Sequence, residues 1–158
     1  MNLYRSKEYY IEDVMPKLSP NGEIWVMTGI TALNLSNVHP CCVYEPIVLY
    51  EGDTSYTLEG VVKYVGVGKG NVDYVNYVTP YYKSPNILIP TKERALVECI
   101  KYNTKMIDPG TLLDAVFNYT FGLDPNMELL YEVADFYKLP KEELDKWIQE
   151  AEESLEEI

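Results

Sequence analysis

The feature that most constrains the fold of this chain is a change of hydrophobic period at residue 91. Between residues 23 and 90 the chain is rich in Val, Tyr, Ile and Thr, in short runs set apart by Gly, Pro and Asn. That pattern is typical of β-strands. From Thr91 onward the apolar residues recur at intervals of three and four, which is the spacing of a helix face. The sequence therefore predicts an α+β fold with a strand-rich lobe followed by a helical lobe.

The length of 158 residues favours a single domain, which these patterns divide into three parts. Residues 1–21 are expected to hold a short N-terminal helix. Residues 22–90 are predicted to form an antiparallel or mixed sheet of about four to six strands, with short helices and short turns. Residues 91–158 are predicted to form a lobe of four helices.

The stretches predicted to be extended in the strand-rich lobe are Glu23–Thr28, Cys41–Tyr50, Tyr56–Val67, Asp73–Tyr82 and Asn86–Ile89. Tyr56–Val67 contains a valine-rich run typical of a buried strand, and Asp73–Tyr82 is rich in β-formers. Between them, Gly66, Gly68 and Gly70 are predicted to form the tip of a hairpin. This glycine-rich string lacks the Ser or Thr that follows the lysine of a phosphate-binding loop, which favours the hairpin turn.

The helical lobe carries four recognisable helix starts. Thr91 is expected to cap the first helix and to place Glu93 in its first turn, where the helix dipole favours an anion. Asp108-Pro109 and Asp124-Pro125 combine a capping side chain with a proline at the first helical position. Pro140 is predicted to open the last helix.

The last helix is strongly amphipathic. Its apolar face contains Leu144, Trp147, Ile148, Ala151, Leu155 and Ile158, and its opposite face contains Glu142, Glu143, Glu150, Glu152, Glu153, Glu156 and Glu157. The apolar stripe favours closure of the helical lobe. The acidic face leaves open a second role, as a docking element for a basic partner.

The charge of the chain disfavours nucleic acid as a direct partner. There are 25 acidic and 13 basic side chains, for a formal net charge of −12, and the only arginines are Arg5 and Arg94. Affinity for a phosphate backbone comes from Lys and Arg, so a chain of this charge is not expected to grip DNA or RNA. No run of 18 apolar residues predicts a membrane span, and the first 20 residues lack the layout of a signal peptide.

The cysteines and the single histidine predict neither a disulfide framework nor a catalytic centre. Cys41 and Cys42 are adjacent and Cys99 makes the number odd, which fits a reduced, cytoplasmic compartment. His39 is two residues before Cys41 in the sequence. The two residues have three possible roles: a Cys–His nucleophile, part of a zinc site, or simple packing. Packing is favoured, so no catalytic residue, cofactor or metal ligand is predicted.

Tyrosine is the unusual residue of this chain, with 15 copies. Tyr74, Tyr77, Tyr81 and Tyr82 form its densest cluster. Tyrosine is a strand former and is also enriched at protein interfaces, so each ring favours sheet packing while the cluster favours a surface for a partner. These four tyrosines, with Trp147 of the last helix, are the candidate partner contacts.

The run Ile87-Leu88-Ile89-Pro90-Thr91-Lys92-Glu93-Arg94-Ala95-Leu96 resembles the signature of AbiEi-type antitoxins. In that family a short strand leads through Pro or Thr into a helix that begins Glu-Arg-Ala-Leu. The family usually continues with a Leu-Asp-like pair, where this chain has Val97-Glu98. Thr28-Gly29-Ile30-Thr31-Ala32-Leu33 is similar to the Ser-x-x-Ser-Ala-Leu helix that precedes the family's sheet. The similarity of element order covers about residues 22–137.

The resemblance implies a non-enzymatic antitoxin that counters a nucleotidyltransferase-like toxin. Antitoxins of this family typically carry an N-terminal winged helix that represses their own promoter. Only about 20 residues precede the matching region here, so the expected protein is the toxin-neutralising part without DNA binding. Within the motif, Glu93, Arg94, Ala95 and Leu96 are expected to be structural, with Arg94 reaching a neighbouring carboxylate or carbonyl.

Two other hypotheses remain open from the sequence. The first is an acidic phage or mobile-element inhibitor that binds a basic, nucleic-acid-handling protein. The second is a small enzyme built around His39 and Cys41, which ranks last because the sequence offers no evident second base or oxyanion donor.

Overall fold

The structure of the protein is a computed structural model that describes residues 22–39, 46–58, 62–81, 84–122 and 124–156. The predicted N-terminal helix lies outside the described residues.

The strand-rich lobe contains six described strands and one helix. In chain order they are β1 (Trp25–Val26), α1 (Gly29–Leu35), β2 (Ile47–Tyr50), β3 (Tyr56–Leu58), β4 (Val62–Gly66), β5 (Val78–Tyr81) and β6 (Ser84–Pro90).

The helical lobe follows directly. Its described elements are α2 (Lys92–Lys101), the one-turn helix α3 (Asn103–Met106), α4 (Pro109–Gly122), α5 (Met127–Phe136) and α6 (Lys141–Glu156). The predicted fold class is confirmed: small mixed sheets with a short helix come first, and four longer helices follow.

The strands form two three-stranded mixed sheets. One has the order β1-β6-β5, with β6 parallel to β1 and antiparallel to β5. The other has the order β2-β4-β3, with β4 parallel to β2 and antiparallel to β3. A single antiparallel bridge between Met27 and Val48 joins the two sheets next to β1.

The predicted strand Tyr56–Val67 is wrong as one element. It is a pair of antiparallel strands in which Tyr56 lies opposite Tyr64 and Leu58 lies opposite Val62. The hairpin predicted around Gly66, Gly68 and Gly70 is also wrong, because β4 and β5 belong to different sheets. The segment is instead a connection between the sheets. Gly68 and Gly70 have φ values of 94° and 80°, in the left-handed region that favours glycine.

The predicted strand Asp73–Tyr82 is shorter than expected. Only Val78–Tyr81 is a strand, and residues 73–77 form an irregular loop in which Tyr77 has a φ of 57°. Tyr82 lies outside the described residues. The loop departs from β-structure because a buried arginine of α2 binds its carbonyl oxygens, as described below.

Two of the predicted helix caps are confirmed and one start is wrong. The Thr91 hydroxyl accepts a hydrogen bond from the Arg94 N–H at 3.2 Å, and the Asp108 carboxylate accepts one from the Thr111 N–H at 2.9 Å. The third helix starts two residues after Asp124-Pro125, with Asn126 as its cap. The main-chain N–H of Asn126 is held by a tyrosine hydroxyl of α4, which fixes the start there.

Strands β1, β2 and β4 contribute buried side chains to two core clusters. Val48 and Met27 pack in one core cluster, while Ile47, Leu49 and Val26 pack in another on the other side of the strands. This arrangement explains why the strands contain continuous apolar runs rather than an alternating pattern.

The helical lobe shares one core cluster with Ala32 and Leu33 of α1, and α6 closes it. Leu144 and Ala151 are buried in that core, with Trp147 and Ile148 half-buried against it. Among the described helices, none is long and apolar enough to cross a bilayer.

Candidate functional site: an aromatic patch held by buried charges

Helix α2 is buried along almost its whole length, although it carries charged side chains. Every residue from Glu93 to Ile100 is buried, including the charged residues Glu93, Arg94 and Glu98. Charged groups in a protein interior are retained only where they are paired and hydrogen-bonded. The contacts of these three side chains therefore indicate what they hold in place.

Arg94 is fully buried and uses its whole guanidinium group. Its Nε lies 3.1 Å from Oε2 of Glu98, one turn further along α2. Its two terminal nitrogens donate to the carbonyl oxygens of Asn76 and Asp73, each at 2.8 Å. The group also lies 5.1 Å from the centre of the Tyr137 ring. Arg94 thus fixes the loop of residues 73–77, and its contacts with a carboxylate and two carbonyls are of the kind expected from the sequence.

Glu98 links this arginine to the segment between β1 and α1. The Thr28 hydroxyl, between β1 and α1, donates to Glu98 Oε1 at 3.0 Å. Burial raises the pKa of Glu98, while the Arg94 guanidinium and the Thr28 hydroxyl act in the opposite direction. The result is a buried chain of contacts from β1 through α2 to the loop.

Asp73 organises the loop itself. Its Oδ1 accepts hydrogen bonds from the main-chain N–H groups of Val75 and Asn76 at 2.8 and 3.1 Å. Its Oδ2 accepts one from the Tyr137 hydroxyl at 2.9 Å. Partial burial alone would raise the pKa of Asp73, but these hydrogen bonds, together with one from the Asn76 side chain, lower it below its ordinary value.

A second buried network anchors the other face of α2. The Tyr119 hydroxyl donates to Glu93 Oε2 at 2.7 Å and accepts from the Asn126 N–H at 3.0 Å. Burial and the hydrogen bond to Glu93 raise the pKa of the Tyr119 phenol. This network connects α2, α4 and the start of α5, and so positions α5 against the loop.

An aromatic patch lies where the end of α5 meets this loop. We define the aromatic patch as Tyr77, Phe136 and Tyr137, whose ring centres are 5.0–6.1 Å apart in edge-to-face contacts. Phe136 is 49% exposed, and Val75 of the same loop is 79% exposed. Aromatic side chains that are partly exposed on a fixed backbone are common anchors of protein interfaces.

The tyrosine cluster predicted from the sequence does not form one surface. Tyr74 is half-buried beside the carboxylate of Glu51, Tyr77 belongs to the aromatic patch, and Tyr81 is buried between the strands at 6% exposure. These three tyrosines pack on three different core clusters. Trp147 is half-buried against the helical core on α6.

Sequence reasoning missed Val75 and Phe136 as surface residues. A signal was present for Phe136, because it falls outside the apolar stripe of its helix, which contains Leu130, Val133 and Ala134. A large apolar residue off the stripe is expected to reach solvent. Nothing local in the sequence distinguishes Val75 from a strand valine.

The motif Glu93-Arg94-Ala95-Leu96 lies entirely in the interior. Each of the four residues is at most 4% exposed. The motif therefore has no surface with which to touch a partner, and its part in the molecule is packing and the support of the loop.

The described residues contain no group of three His, Cys, Asp or Glu side chains that would hold a metal ion. Cys99 is fully buried, and burial raises the pKa of its thiol, which keeps it protonated and unreactive. Cys41 lies outside the described residues, so the pairing of His39 with Cys41 stays a hypothesis from the sequence.

Comparison of the chain with protein-family models and with curated proteins finds no match. The resemblance to AbiEi-type antitoxins therefore depends only on the two short motifs and on the order of elements.

Proposed function

We propose that this protein acts by binding another protein with a basic surface, and that it is not an enzyme. The observation that carries the proposal is the aromatic patch: a half-exposed Phe136 supported by Tyr77 and by a loop that Arg94 and Asp73 hold in place. Pre-formed apolar anchors of this kind bind without a large ordering cost.

The charge around the patch favours a basic partner. Residues 127–156, which form α5 and α6, carry ten Asp or Glu and three Lys. The exposed acids include Glu132 and Asp135 on α5 and Glu142, Glu143, Glu152 and Glu153 on α6. Aromatic anchors with a charged rim match the usual anatomy of an interface, and the rim charge selects partners of opposite sign.

We further propose an antitoxin role in the cytoplasm, with a nucleotidyltransferase-like toxin as the first partner to test. Its supports are the resemblance of residues 87–96 to the antitoxin signature and a net charge that suits a basic protein better than DNA. The buried motif would supply the scaffold, and the aromatic patch would supply the contact.

Co-expression with the product of the neighbouring gene tests this role. The chain should rescue growth when that gene encodes a nucleotidyltransferase-like toxin, without repressing its own promoter. Absence of rescue would contradict the antitoxin role, and promoter repression would contradict the claim that no DNA is bound.

The two half-exposed phenylalanines make a matched pair for testing the patch. Phe136→Ala should weaken binding by about 30-fold or more, as expected when an interface anchor is removed. Phe121→Ala, at a residue of similar exposure (44%) on α4, should leave binding unchanged. Equal effects of the two substitutions would show that the patch is not the contact.

The second candidate function is an acidic phage or mobile-element inhibitor that occupies the groove of a nucleic-acid-handling protein. The acidic excess of residues 127–156 favours it, because dense exposed carboxylates can imitate a phosphate backbone. Its binding should weaken steeply with added salt and be unaffected by Phe136→Ala. Salt-independent binding would remove this candidate.

A further inference from the structure

A groove between α5 and α6 is distinct from the aromatic patch and next to it. Its volume is about 520 Å³, and it is lined by Tyr131, Ala134, Asp135, Leu139, Lys141 and Asp145. Ala134 and Leu139 are buried and form an apolar floor. Asp135 of the lining directly precedes Phe136 of the aromatic patch on α5.

The groove walls combine an aromatic ring with two carboxylates. The Tyr131 hydroxyl donates a hydrogen bond to Oδ1 of Asp145, which orients that carboxylate. Burial and the bond to Asp145 raise the pKa of Tyr131 to about 12, so the phenol remains a donor at neutral pH. Asp135, one turn after Tyr131 on α5, is exposed and also lines the groove.

The chain already places one of its own cations in the groove. The Nζ of Lys141 lies 5.8 Å from the centre of the Tyr131 ring. This is the position from which a cation is attracted to the face of an aromatic ring. Lys141 is itself exposed, so a competing cation could displace its ammonium into water.

We propose that this groove receives an arginine side chain from the basic partner, which takes the place of Lys141 over Tyr131. An arginine fits because its guanidinium is planar, stacks on an aromatic ring and pairs with carboxylates through a fork of donors. Its aliphatic stem would lie on the apolar floor. The inference depends on the proposed function only for the source of the arginine.

A short peptide with a single central arginine, titrated to millimolar concentration into the ¹⁵N-labelled full chain, tests the site directly. The amide shifts should change within residues 131–145 and saturate. The same peptide with citrulline, which keeps the shape and removes the charge, should cause no change. A lysine peptide should bind more weakly, because an ammonium lacks the planar fork.

Two lysine variants separate a local site from general electrostatics. Lys141→Ala should strengthen binding of the arginine peptide by about two- to fivefold, because it removes the competing cation. Lys146→Ala changes the net charge equally, on the same helix but outside the groove lining, and should leave the affinity unchanged. Asp145→Asn should weaken binding by a similar factor. If the asparagine variant fails to fold, the two lysine variants still decide.

Several results would overturn the proposal. These are shifts scattered over the acidic surface, equal strengthening by both lysine variants, equal affinity for arginine and citrulline peptides, or equal affinity for arginine and lysine peptides. If the protein rescues growth but does not bind the arginine peptide, only the proposed arginine site is contradicted. If the protein binds the peptide but does not bind a basic protein, the proposed function is contradicted.

Discussion

Replacing Arg94 by methionine tests the central role of the buried charges. Glu98 is 4% exposed, and Arg94 supplies the positive charge beside its carboxylate. Removing one partner of a buried ion pair costs about 3–5 kcal/mol, because the remaining charge has no compensation. For a chain of 158 residues this loss should lower the melting temperature by about 9–15 °C.

The cost of Arg94→Met should shrink as the pH falls. In the variant, burial raises the folded-state pKa of Glu98 and no guanidinium opposes it. The folded state then holds a proton that the unfolded chain releases above its ordinary pKa of about 4.5. Stability contributed by this proton is fully present below that value and is lost as the pH rises toward the folded-state pKa.

Urea unfolding of the wild type and two variants, at pH 5 and at pH 8, provides the assay. Arg94→Lys keeps a positive charge near Glu98 but cannot reach both loop carbonyls, so it should lose about 2 kcal/mol at either pH. The difference in the free energy of unfolding between the wild type and Arg94→Met should be smaller at pH 5 than at pH 8. If the Arg94→Met variant is less stable than the wild type by the same amount at both pH values, the uncompensated charge of Glu98 is not the cause of the loss.

Three further predictions concern other parts of the fold. Tyr119→Phe should lower the free energy of unfolding by about 1–3 kcal/mol, because the buried Glu93 carboxylate and the Asn126 N–H both lose their hydrogen bond to its hydroxyl. The control Tyr102→Phe, whose hydroxyl contacts neither group, should cost clearly less; thermal unfolding measures both. Gly66→Ala should lower the free energy of unfolding by about 1–3 kcal/mol, because the added Cβ would lie 2.7 Å from a main-chain oxygen. The control Gly122→Ala should not destabilise the protein, because a Cβ there meets nothing within 4 Å. Similar losses for the two variants would contradict the clash at Gly66. The stability contributed by Asp73, whose folded-state pKa is lowered, should be present above about pH 4 and lost as the pH falls further. In an acid titration followed by circular dichroism, the stability of Asp73→Ala should therefore fall less steeply below about pH 4 than that of the wild type. An equally steep fall for the two proteins would contradict this contribution of Asp73.

The candidate site was only partly predictable from the sequence. The structural role expected for Arg94 follows from its place at the start of a helix with Glu98 one turn later, which is a local relation. Tyr77 was among the predicted partner contacts, but its neighbours Phe136 and Tyr137 come from a helix about 60 residues away. Contacts between segments so distant in the chain leave no local pattern.

The sequence by itself determined the change from strands to helices at residue 91, the caps at Thr91 and Asp108, and the amphipathic last helix, because each depends on residues within a few positions of one another. Tertiary structure decided the division into two sheets and the irregular loop of residues 73–77. The parallel pairings join strands from distant parts of the chain, such as Trp25 with Ile87. The loop gives up β-structure because Arg94, 18 and 21 residues further on, binds its carbonyl oxygens. Hydrogen bonds to a buried guanidinium outweigh a local preference of a few tenths of a kcal/mol per residue, so β-propensity alone predicted the wrong element there.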